Sequence, residues 1–328
     1  MSIGVQNHVQ PAGGESGDGP RAGRRSGRPT VSAVREIMPS LHRTTAGEGR
    51  WRGKRPGRGH AIGGRSRCRG FRPQRIGSTM NRQAIVVTGA NSGIGLRCCE
   101  ELLAAGHLVF ALDRDLDAVS AIAGGAGEMV TIRCDLLAEA QVAEAFATVA
   151  RRVDRLDGLV CSAGVLRTGR LVEMSVADFD LVFGVNTRGA WLCAKAATDL
   201  LTRSGDEATS GRIVMVASIA AIRPKIDGGA YAASKAALAQ LTKVLAVELA
   251  ALGIRVNAVA PATVDTPMIR SAAKDGSGYK PSGLSPIGRI AEPGDIVSVI
   301  RFLLAPESDY VNGVLLPVDA GTSAAFVG

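Results

Sequence analysis

A tyrosine and a lysine stand four positions apart in the segment "YAASK", residues 231–235. On an α-helix, residues i and i+4 lie on one face, so Tyr231 and Lys235 would project together. A free tyrosine has a pKa of about 10 and is a poor base, but a neighbouring ammonium favours the phenolate and lowers that value. The pair could therefore exchange a proton with a bound hydroxyl group. By itself the pentapeptide is also compatible with a surface helix that carries both residues by chance.

Ser218 lies thirteen residues upstream of Tyr231, directly after the β-rich run "RIVMVA". The end of a parallel strand is at the carboxyl edge of the sheet, where doubly wound folds bind ligands. A serine hydroxyl at that edge can hydrogen-bond an oxygen that gains charge in a transition state. Alone, this serine would be interpreted as a helix cap or a loop hydroxyl.

A glycine-rich turn, "TGANSGIG", occupies residues 88–95 after the β-rich run "AIVVT". Glycines let the chain turn tightly and let backbone amides approach a pyrophosphate at the positive end of the following helix. The spacing is Gly-x-x-x-Gly-x-Gly, and no Lys-Ser/Thr follows as in a P-loop. An ordinary turn needs only one glycine, so three predict a dinucleotide site formed by Gly89, Ser92, Gly93, Ile94 and Gly95.

The second β-rich run ends in "ALDRD", about 24 residues beyond the first glycine of the turn. Asp113 in this segment is placed to accept hydrogen bonds from the adenosine ribose hydroxyls. A carboxylate there repels a 2′-phosphate, which favours NAD over NADP. Arg114 could instead pair with such a phosphate, so NADP stays open as the alternative.

Short β-branched runs alternate with longer segments of helical period from residue 83 onward. This alternation predicts an α/β fold: a single Rossmann-type, doubly wound domain over residues 81–328, with a seven-stranded parallel sheet and helices on both faces. The predicted strands are residues 84–88, 107–112, 129–134, 158–162, 212–217, 254–260 and 313–318.

Further motifs accompany the glycine turn, the serine and the tyrosine–lysine pair, in a fixed order along the chain. They are "CDL" (134–136), "CSAG" (161–164), "VNTRGA" (185–190) and "VNAVAPATVDTPM" (256–268). With these motifs, residues 83–328 resemble the short-chain dehydrogenase/reductase family. The resemblance covers essentially the whole predicted domain.

The resemblance implies roles that spacing alone does not give. Asp135 and Leu136 would flank the adenine, and Lys235 would also bind the nicotinamide ribose, as would Tyr231. Asn186 would hold a proton-relay water beside Lys235 and complete a catalytic set with Ser218, Tyr231 and Lys235. Thr266 and the Val264 backbone would orient the carboxamide, and the remaining cofactor contacts would come from Ser162, Ala163, Gly164 and Pro261.

The implied activity is hydride transfer between a nicotinamide cofactor, NAD rather than NADP, and a small secondary alcohol or ketone. A 3-oxoacyl-thioester reductase of the same family and a non-catalytic dinucleotide-binding sensor or scaffold remain as alternatives. The resemblance further implies a homo-oligomer, a tetramer or dimer, in which helices near 176–203 and 229–252 pair across a two-fold axis.

The sequence departs from the family pattern at two places. Cys161 and Ser162 stand where the family usually has two asparagines, and Ser162 can still hydrogen-bond. Pro261 is followed by Ala262 where a glycine is usual. If that position required a positive φ, alanine would cost about 1 kcal/mol there.

Substrate choice is expected to depend on the loop 219–230 and on the segment 267–292, which would close as a lid. Five basic residues in these segments could meet an anionic substrate, but solvated loop charges are the alternative. A hydrophobic alcohol or a dihydrodiol fits the sequence equally well. The five are Arg223, Lys225, Arg270, Lys274 and Lys280.

The positive net charge belongs to the N-terminal segment. Residues 1–80 hold 16 of the 39 Lys+Arg and 4 of the 30 Asp+Glu, whereas residues 81–328 hold 23 and 26. This Arg/Gly-rich segment lacks apolar periodicity, so we expect it to be disordered. A transit peptide should be amphipathic, and this segment is too rich in Gly and Pro for one. We favour Met80 as the start, which would leave the segment out of the working protein. A nucleic-acid arm would need a folded module or regular aromatic residues, so nucleic acid is not favoured as a partner.

The six cysteines show no CxxC pair and no zinc-like spacing, so no metal site is predicted. Five of them fall inside predicted strands or helices, which indicates buried free thiols and a reducing, cytoplasmic setting. No run of 18 apolar residues occurs, so no membrane span is predicted.

Overall fold

The computed structural model describes residues 82–122, 124–202, 210–272, 274 and 283–325. The N-terminal segment 1–80, Cys68 and Lys280 lie outside the described residues, and so does part of the predicted lid.

Seven parallel strands form one sheet, in the order β3-β2-β1-β4-β5-β6-β7. The prediction of a seven-stranded, doubly wound sheet is confirmed, with strand ends within one or two residues of the predicted ones. The strands are β1 Ala84–Thr88, β2 Leu108–Asp113, β3 Glu128–Arg133, β4 Gly158–Cys161, β5 Gly211–Val216, β6 Ile254–Pro261 and β7 Leu315–Val318.

Eight α-helices connect and cover the strands in the described part of the chain. They are α1 Gly93–Ala104, α2 Asp117–Ser120, α3 Glu139–Ala150, α4 Val176–Phe183, α5 Ala190–Leu201, α6 Gly229–Glu248, α7 Pro267–Ala272 and α8 Pro293–Leu304. A π-helical segment, Gly184–Gly189, joins α4 to α5 without an intervening loop. Together these elements give the βαβ alternation that the sequence predicts.

The central strands of the sheet are buried on both faces, which explains why they are nearly continuous apolar runs. Successive side chains of a strand point to opposite faces. In β1, Val86 packs into the core cluster under α3, α5 and α6. Ile85 and Val87 pack into the cluster on the other face, under α1 and α8. The two helical layers hold the strand ends in place, and the candidate site lies at the carboxyl edge of this sheet.

The five described cysteines are free and buried. Burial raises the pKa of the Cys98 and Cys161 thiols to about 12 and that of Cys134 to about 11. Such thiols are structural rather than nucleophilic. Across the part of the chain that the structure describes, no group of three potential metal ligands comes together, and no helix is long and apolar enough to cross a membrane.

Candidate active site

A cavity of about 380 Å³ opens at the carboxyl ends of the central strands. β1 pairs with β2 on one side and β4 on the other, so the loops that follow β1 and β4 diverge here. This switch point is where doubly wound folds bind ligands. The cavity brings together the predicted residues Gly89, Ser92, Gly93, Ile94, Asp113, Arg114, Asp135, Leu136, Ser162, Ala163, Gly164, Ser218, Tyr231, Lys235, Pro261, Val264 and Thr266.

The glycine turn is packed so closely that its wall of the cavity is largely backbone. Gly89 has φ +68°, and a Cβ there would lie 2.6 Å from the Ala163 Cα. A Cβ at Gly93, which has φ +53°, would lie 3.1 Å from Thr266 Cγ2. The turn leads into α1, whose N-terminus faces the cavity with Ser92 as its N-cap. Exposed amides and a helix N-terminus suit a pyrophosphate.

Gly95 does not line the cavity but supports it from behind. A Cβ at this position would lie 2.0 Å from the Gly89 carbonyl oxygen, closer than any real contact. The absence of a side chain therefore lets the first turn of α1 rest on the backbone of the loop. This is the close helix–strand packing for which a dinucleotide turn needs its last glycine.

Asp113 lies at the end of β2 and holds the glycine turn. Its Oδ2 accepts a hydrogen bond from the Asn91 amide at 3.0 Å, and its Oδ1 accepts one from the Asp115 amide at 3.3 Å. Each carboxylate oxygen keeps further acceptor capacity for ribose hydroxyls. Arg114 beside it is exposed on the cavity wall. The site thus offers both the carboxylate and the cation that the sequence indicated.

Sequence reasoning missed Asn91, which also lines the cavity. Its Oδ1 accepts a hydrogen bond from the Val119 amide at 2.9 Å, so this side chain joins the turn to α2. Its place inside "TGANSGIG" was the available signal, but the prediction named mainly the glycines of that motif.

The residues that the resemblance assigns to the adenine and the carboxamide lie on loops that are fixed by hydrogen bonds. Asp135 Oδ1 accepts from the Leu137 amide at 2.9 Å, and Leu136 is buried. Val264 forms a bridge with Ala291, and Thr266 donates to the Val264 carbonyl at 3.4 Å. These contacts place the predicted residues on the cavity wall with defined orientation.

The two departures from the family pattern are accommodated. Ala262 is not among the described residues with positive φ, so the conditional strain of an alanine does not arise. The Ala163 amide donates to Thr88 Oγ1 at 3.3 Å and ties the loop after β4 to β1. The Ser162 side chain lines the cavity, and Cys161 is buried beneath it.

Ser218 combines the two interpretations that the sequence left open. It is the N-cap of the short 3₁₀ helix Ile219–Ala221, and its Oγ accepts a hydrogen bond from the Ala220 amide at 3.1 Å. The same side chain lines the cavity. Since a hydroxyl both accepts and donates, Ser218 keeps its proton for a ligand oxygen while it caps the helix.

Tyr231 and Lys235 project from one face of α6 into the cavity, as the spacing predicted. Lys235 Nζ lies 5.7 Å from the centroid of the Tyr231 ring. The lysine is only 3% exposed and donates to the Val216 carbonyl oxygen at 2.7 Å. Burial lowers the pKa of this ammonium to about 8. Tyr231 is partly exposed toward the cavity.

Asn186 is fully buried within the π-helical segment, and it lies behind Gly164 rather than on the cavity wall. Its Nδ2 donates to the Val165 carbonyl and to Ser234 Oγ, each at 3.0 Å, and its Oδ1 accepts from the Val165 amide at 2.8 Å. Both amide protons are therefore engaged. π-turns often mark functional sites. Here the side chain positions the loop 164–165.

Gly164 shows how closely these groups meet. A Cβ at this position would lie 3.4 Å from Asn186 Oδ1 and 3.5 Å from Lys235 Nζ. Both are ordinary van der Waals distances, so the loop after β4 passes directly beside the two side chains. The resemblance implies a water between Asn186 and Lys235. With both amide protons engaged, the side chain could only accept a hydrogen bond from such a water, through the second lone pair of Oδ1.

The buried lysine predicts a pH dependence of stability. Its pKa falls from an ordinary value of 10.5 to about 8 on folding. Between these values the unfolded chain keeps a proton that the folded chain has lost, so the Lys235 contribution to stability rises with pH. Burial of the charged lysine therefore destabilises the fold by on the order of 3 kcal/mol below pH 8, and this cost disappears as the pH rises through the window.

The measurement is urea unfolding of the protein and of Lys235→Met from pH 7 to 10.5. The raised thiol pKa values act in the opposite sense above pH 9, so the informative quantity is the difference between the two proteins. We expect the variant to be the more stable at pH 7 and to lose this advantage as the pH rises. A difference that does not change with pH would contradict the assignment.

A second cavity, of about 510 Å³, adjoins the first. Four residues line both: Ser218, Tyr231, Ala262 and Ile269. The loop predicted to choose the substrate, 219–230, forms one wall, and the described part of the segment 267–292 forms another. Arg223 and Lys225 line this cavity, whereas Arg270 is paired with Asp265 at 2.6 Å.

Sequence analysis did not predict that the C-terminal turn reaches this second cavity. Thr322 and Ala325 line it because β7 is the last strand of the sheet and delivers the chain back to the carboxyl edge. The proximity arises only from the tertiary fold.

Residues 89–323 match the family model described as enoyl-(acyl carrier protein) reductase. The chain belongs to the short-chain dehydrogenase/reductase family and is an oxidoreductase.

Its relatives cover most of the chain. The short-chain reductase protein NovJ of Streptomyces niveus is 37% identical over 72% of this chain and 92% of that protein. The cis-4-hydroxycyclohexanecarboxylate dehydrogenase of Sinomonas cyclohexanicum is 35% identical over 76% of this chain and all of that protein. The structure of a 3-ketoacyl-(acyl-carrier-protein) reductase from Brucella melitensis complexed with NADH is 30% identical, with a TM-score of 0.66 over 74% of this chain and 98% of that one.

Proposed function

We propose that the protein transfers a hydride between NAD and a secondary alcohol or ketone, with Ser218, Tyr231 and Lys235 as catalytic residues. The observation that carries the proposal is the position of Ser218 and Tyr231 on the wall shared by the two cavities. A dinucleotide in the first cavity and a substrate in the second would meet at these two hydroxyl groups. When bound, the nicotinamide supplies the hydride acceptor or donor.

The chain's own residues handle the proton. Ser218 donates a hydrogen bond to the substrate oxygen and fixes its position, while one of its own lone pairs accepts from the Ala220 amide. Tyr231 exchanges a proton with that oxygen. Lys235 places a cation beside the ring, which favours the phenolate by Coulomb attraction. Asn186 keeps the loop 164–165 against the lysine and is the proposed holder of a relay water.

NAD is the proposed cofactor, and NADP is the less favoured alternative. Asp113 lies at the end of β2 on the cavity wall, where a carboxylate would accept hydrogen bonds from ribose hydroxyls and would repel a 2′-phosphate. Arg114 is the feature that favours NADP. The Brucella melitensis relative was solved with NADH, which supports the proposal for NAD.

The proposal of a CH–OH substrate is supported by the relative named as a hydroxycyclohexanecarboxylate dehydrogenase. A 3-oxoacyl-thioester reductase is the second candidate, supported by the description of the family model and by the 3-ketoacyl-(acyl-carrier-protein) reductase. A dinucleotide-binding sensor without turnover would not need Ser218, Tyr231 and Lys235 together, so we favour an enzyme.

The test follows the absorbance of the reduced nicotinamide across a panel of secondary alcohols, ketones and 3-oxoacyl thioesters, with each dinucleotide. We expect turnover with NAD to exceed turnover with NADP. Faster turnover with NADP would mean that Arg114, and not Asp113, determines the preference for the cofactor. Dinucleotide binding without turnover of any compound would favour the sensor.

We also propose a homo-oligomer, a tetramer or dimer, that pairs through α5 and α6. Apolar side chains on these helices face outward: Trp191 is 39% exposed, Val244 41% and Val247 79%. Burying such a face between two copies would remove it from water. Size-exclusion chromatography with light scattering measures the assembly, and a monomer would exclude this proposal.

A reducing, cytoplasmic setting is proposed from the cysteines. The five described ones are buried without forming a disulfide. Unpaired thiols are usual where glutathione keeps proteins reduced. Localisation of a tagged full-length chain would test the compartment.

A further inference from the structure

Two neighbouring side chains of the π-helical segment Gly184–Gly189 bind the same residue of α6. Asn186 Nδ2 donates to Ser234 Oγ at 3.0 Å. Thr187, the next residue of the segment, donates through Oγ1 to the Ser234 carbonyl oxygen at 3.0 Å. The segment therefore holds Ser234 by its side chain and by its backbone at once. Ser234 stands directly before Lys235 in the chain.

Ser234 passes this contact on to Tyr231. The serine is fully buried, and its hydroxyl donates to the Tyr231 carbonyl oxygen at 2.8 Å while it accepts from Asn186. An amide that donates to a hydroxyl, which in turn donates to a carbonyl, forms a chain of hydrogen bonds whose members polarise one another. This chain begins in the π-helical segment and ends on the backbone of the residue proposed to exchange the proton.

The π-helical segment is also packed on its other side, so it gives α6 a fixed support. A Cβ at Gly184 would lie 2.6 Å from Leu137 Cδ2. One at Gly189 would lie 2.9 Å from Leu136 Cβ. Both glycines thus let the segment lie directly against the loop that the resemblance assigns to the adenine. The segment is held between that loop and α6.

The orientation of the Asn186 amide is determined by its neighbours. Its Nδ2 donates to the Val165 carbonyl, and its Oδ1 accepts from the Val165 amide. A rotated amide would set donor against donor and acceptor against acceptor at Val165. Asn186 Oδ1 and Lys235 Nζ both lie within 3.5 Å of the position that a Cβ would take at Gly164. The acceptor oxygen and the ammonium therefore border the same small space.

Ser234 takes the second amide proton of Asn186, so the asparagine presents only its oxygen to the space that it shares with Lys235. Burial lowers the pKa of the Lys235 ammonium to about 8. An acceptor oxygen beside such an ammonium favours its charged form. Lys235 in turn is the cation that favours the phenolate of Tyr231. Ser234 thus acts on the proton transfer through Asn186 and through the position of α6.

We propose that Ser234 is a positioning residue for the hydride transfer: it fixes α6 against the π-helical segment, so that Tyr231 and Lys235 keep their places and Asn186 turns only its oxygen toward the lysine. This rests on the proposed function. It adds a residue that lines neither the first nor the second cavity and that acts through others.

The same helix offers a matched control for a substitution at Ser234. Thr242 is also fully buried, and its hydroxyl donates to the Leu238 carbonyl at 2.9 Å, about two turns beyond Lys235. Ser234→Ala and Thr242→Val each delete one buried hydroxyl group of α6. We expect Thr242→Val to leave kcat and its pH profile unchanged. Urea unfolding shows that each variant is folded.

The test measures kcat, KM and their pH dependence in the direction of alcohol oxidation, on the best substrate of the panel. Ser234→Ala should lower kcat about tenfold, with KM and the Kd for NADH changed by less than about threefold. The acid limb of its kcat profile should move to higher pH, because a cation that is held less closely favours the phenolate less. The Cys161 thiol also acts on Lys235, but burial raises its pKa to about 12, so it stays protonated throughout.

Thr187→Val is the second variant and decides the matter if Ser234→Ala does not fold. It removes the hydroxyl that binds the Ser234 carbonyl and keeps the shape of the side chain, so kcat should fall about threefold with the acid limb again at higher pH. An unchanged kcat would overturn the proposal, and so would a lower kcat with an unmoved acid limb, which indicates a structural role alone. A moved acid limb in Thr242→Val would overturn it too. No turnover by the unmodified protein would instead remove the proposed function, and this role with it.

Discussion

Tyr231→Phe is expected to lower kcat by at least about 10²-fold while the protein still folds and binds the dinucleotide. The substitution removes one oxygen atom, the one proposed to exchange a proton with the substrate, and keeps the ring that packs beside Lys235. Dinucleotide affinity should change by less than about threefold, because the glycine turn and Asp113 remain. Steady-state kinetics on the best substrate of the panel and fluorescence titration with NADH measure the two quantities.

Ser218→Ala supplies the comparison for this experiment. It removes a substrate hydrogen bond and also the cap on Ile219–Ala221, so we expect a loss of both activity and some stability. Tyr231→Phe should lose activity without losing stability. Undiminished turnover in Tyr231→Phe would refute the proton-transfer role and would leave Tyr231 as a residue of the cavity wall.

The backbone of the site was predictable because local sequence dictates it. "AIVVT" and "TGANSGIG" specify a strand and a turn within 12 residues of chain, and the structure shows β1 followed by that turn. Tyr231 and Lys235 share a helical face by spacing alone. Contacts that are local in sequence, or that follow from the order of parallel strands, could therefore be inferred before any coordinates.

The parts that could not be predicted depend on contacts between distant segments. Arg223 binds the carbonyls of Thr322 and Ala325, about a hundred residues away, and no local pattern announces this. The π-helical segment that buries Asn186 lies within residues 176–203, which the resemblance implied only as a long helix, and no local pattern distinguished a π turn there. The tertiary fold likewise decides that Arg223 lines the second cavity whereas Arg270 pairs with Asp265.

Gly95→Ala is expected to abolish dinucleotide binding and to destabilise the domain by on the order of 3 kcal/mol or more. The added methyl group would lie 2.0 Å from the Gly89 carbonyl oxygen, so the backbone of the turn or the start of α1 must move. Gly89 in turn lies against the Ala163 backbone, which leaves the turn little room to yield. Urea unfolding gives the stability, and titration with NADH gives the binding.

Gly294→Ala is the matched control, since it adds the same methyl group to the first turn of another helix, α8. Its nearest neighbours would be Arg97 Nε and Glu101 Oε1 at 3.7 Å, an ordinary contact, and alanine favours a helix over glycine. We expect stability to stay the same or to rise slightly, with binding unaffected. If Gly95→Ala behaved like this control, the turn would have to be mobile enough to shift away from α1. A pyrophosphate site made of fixed backbone amides would then no longer explain how the dinucleotide binds.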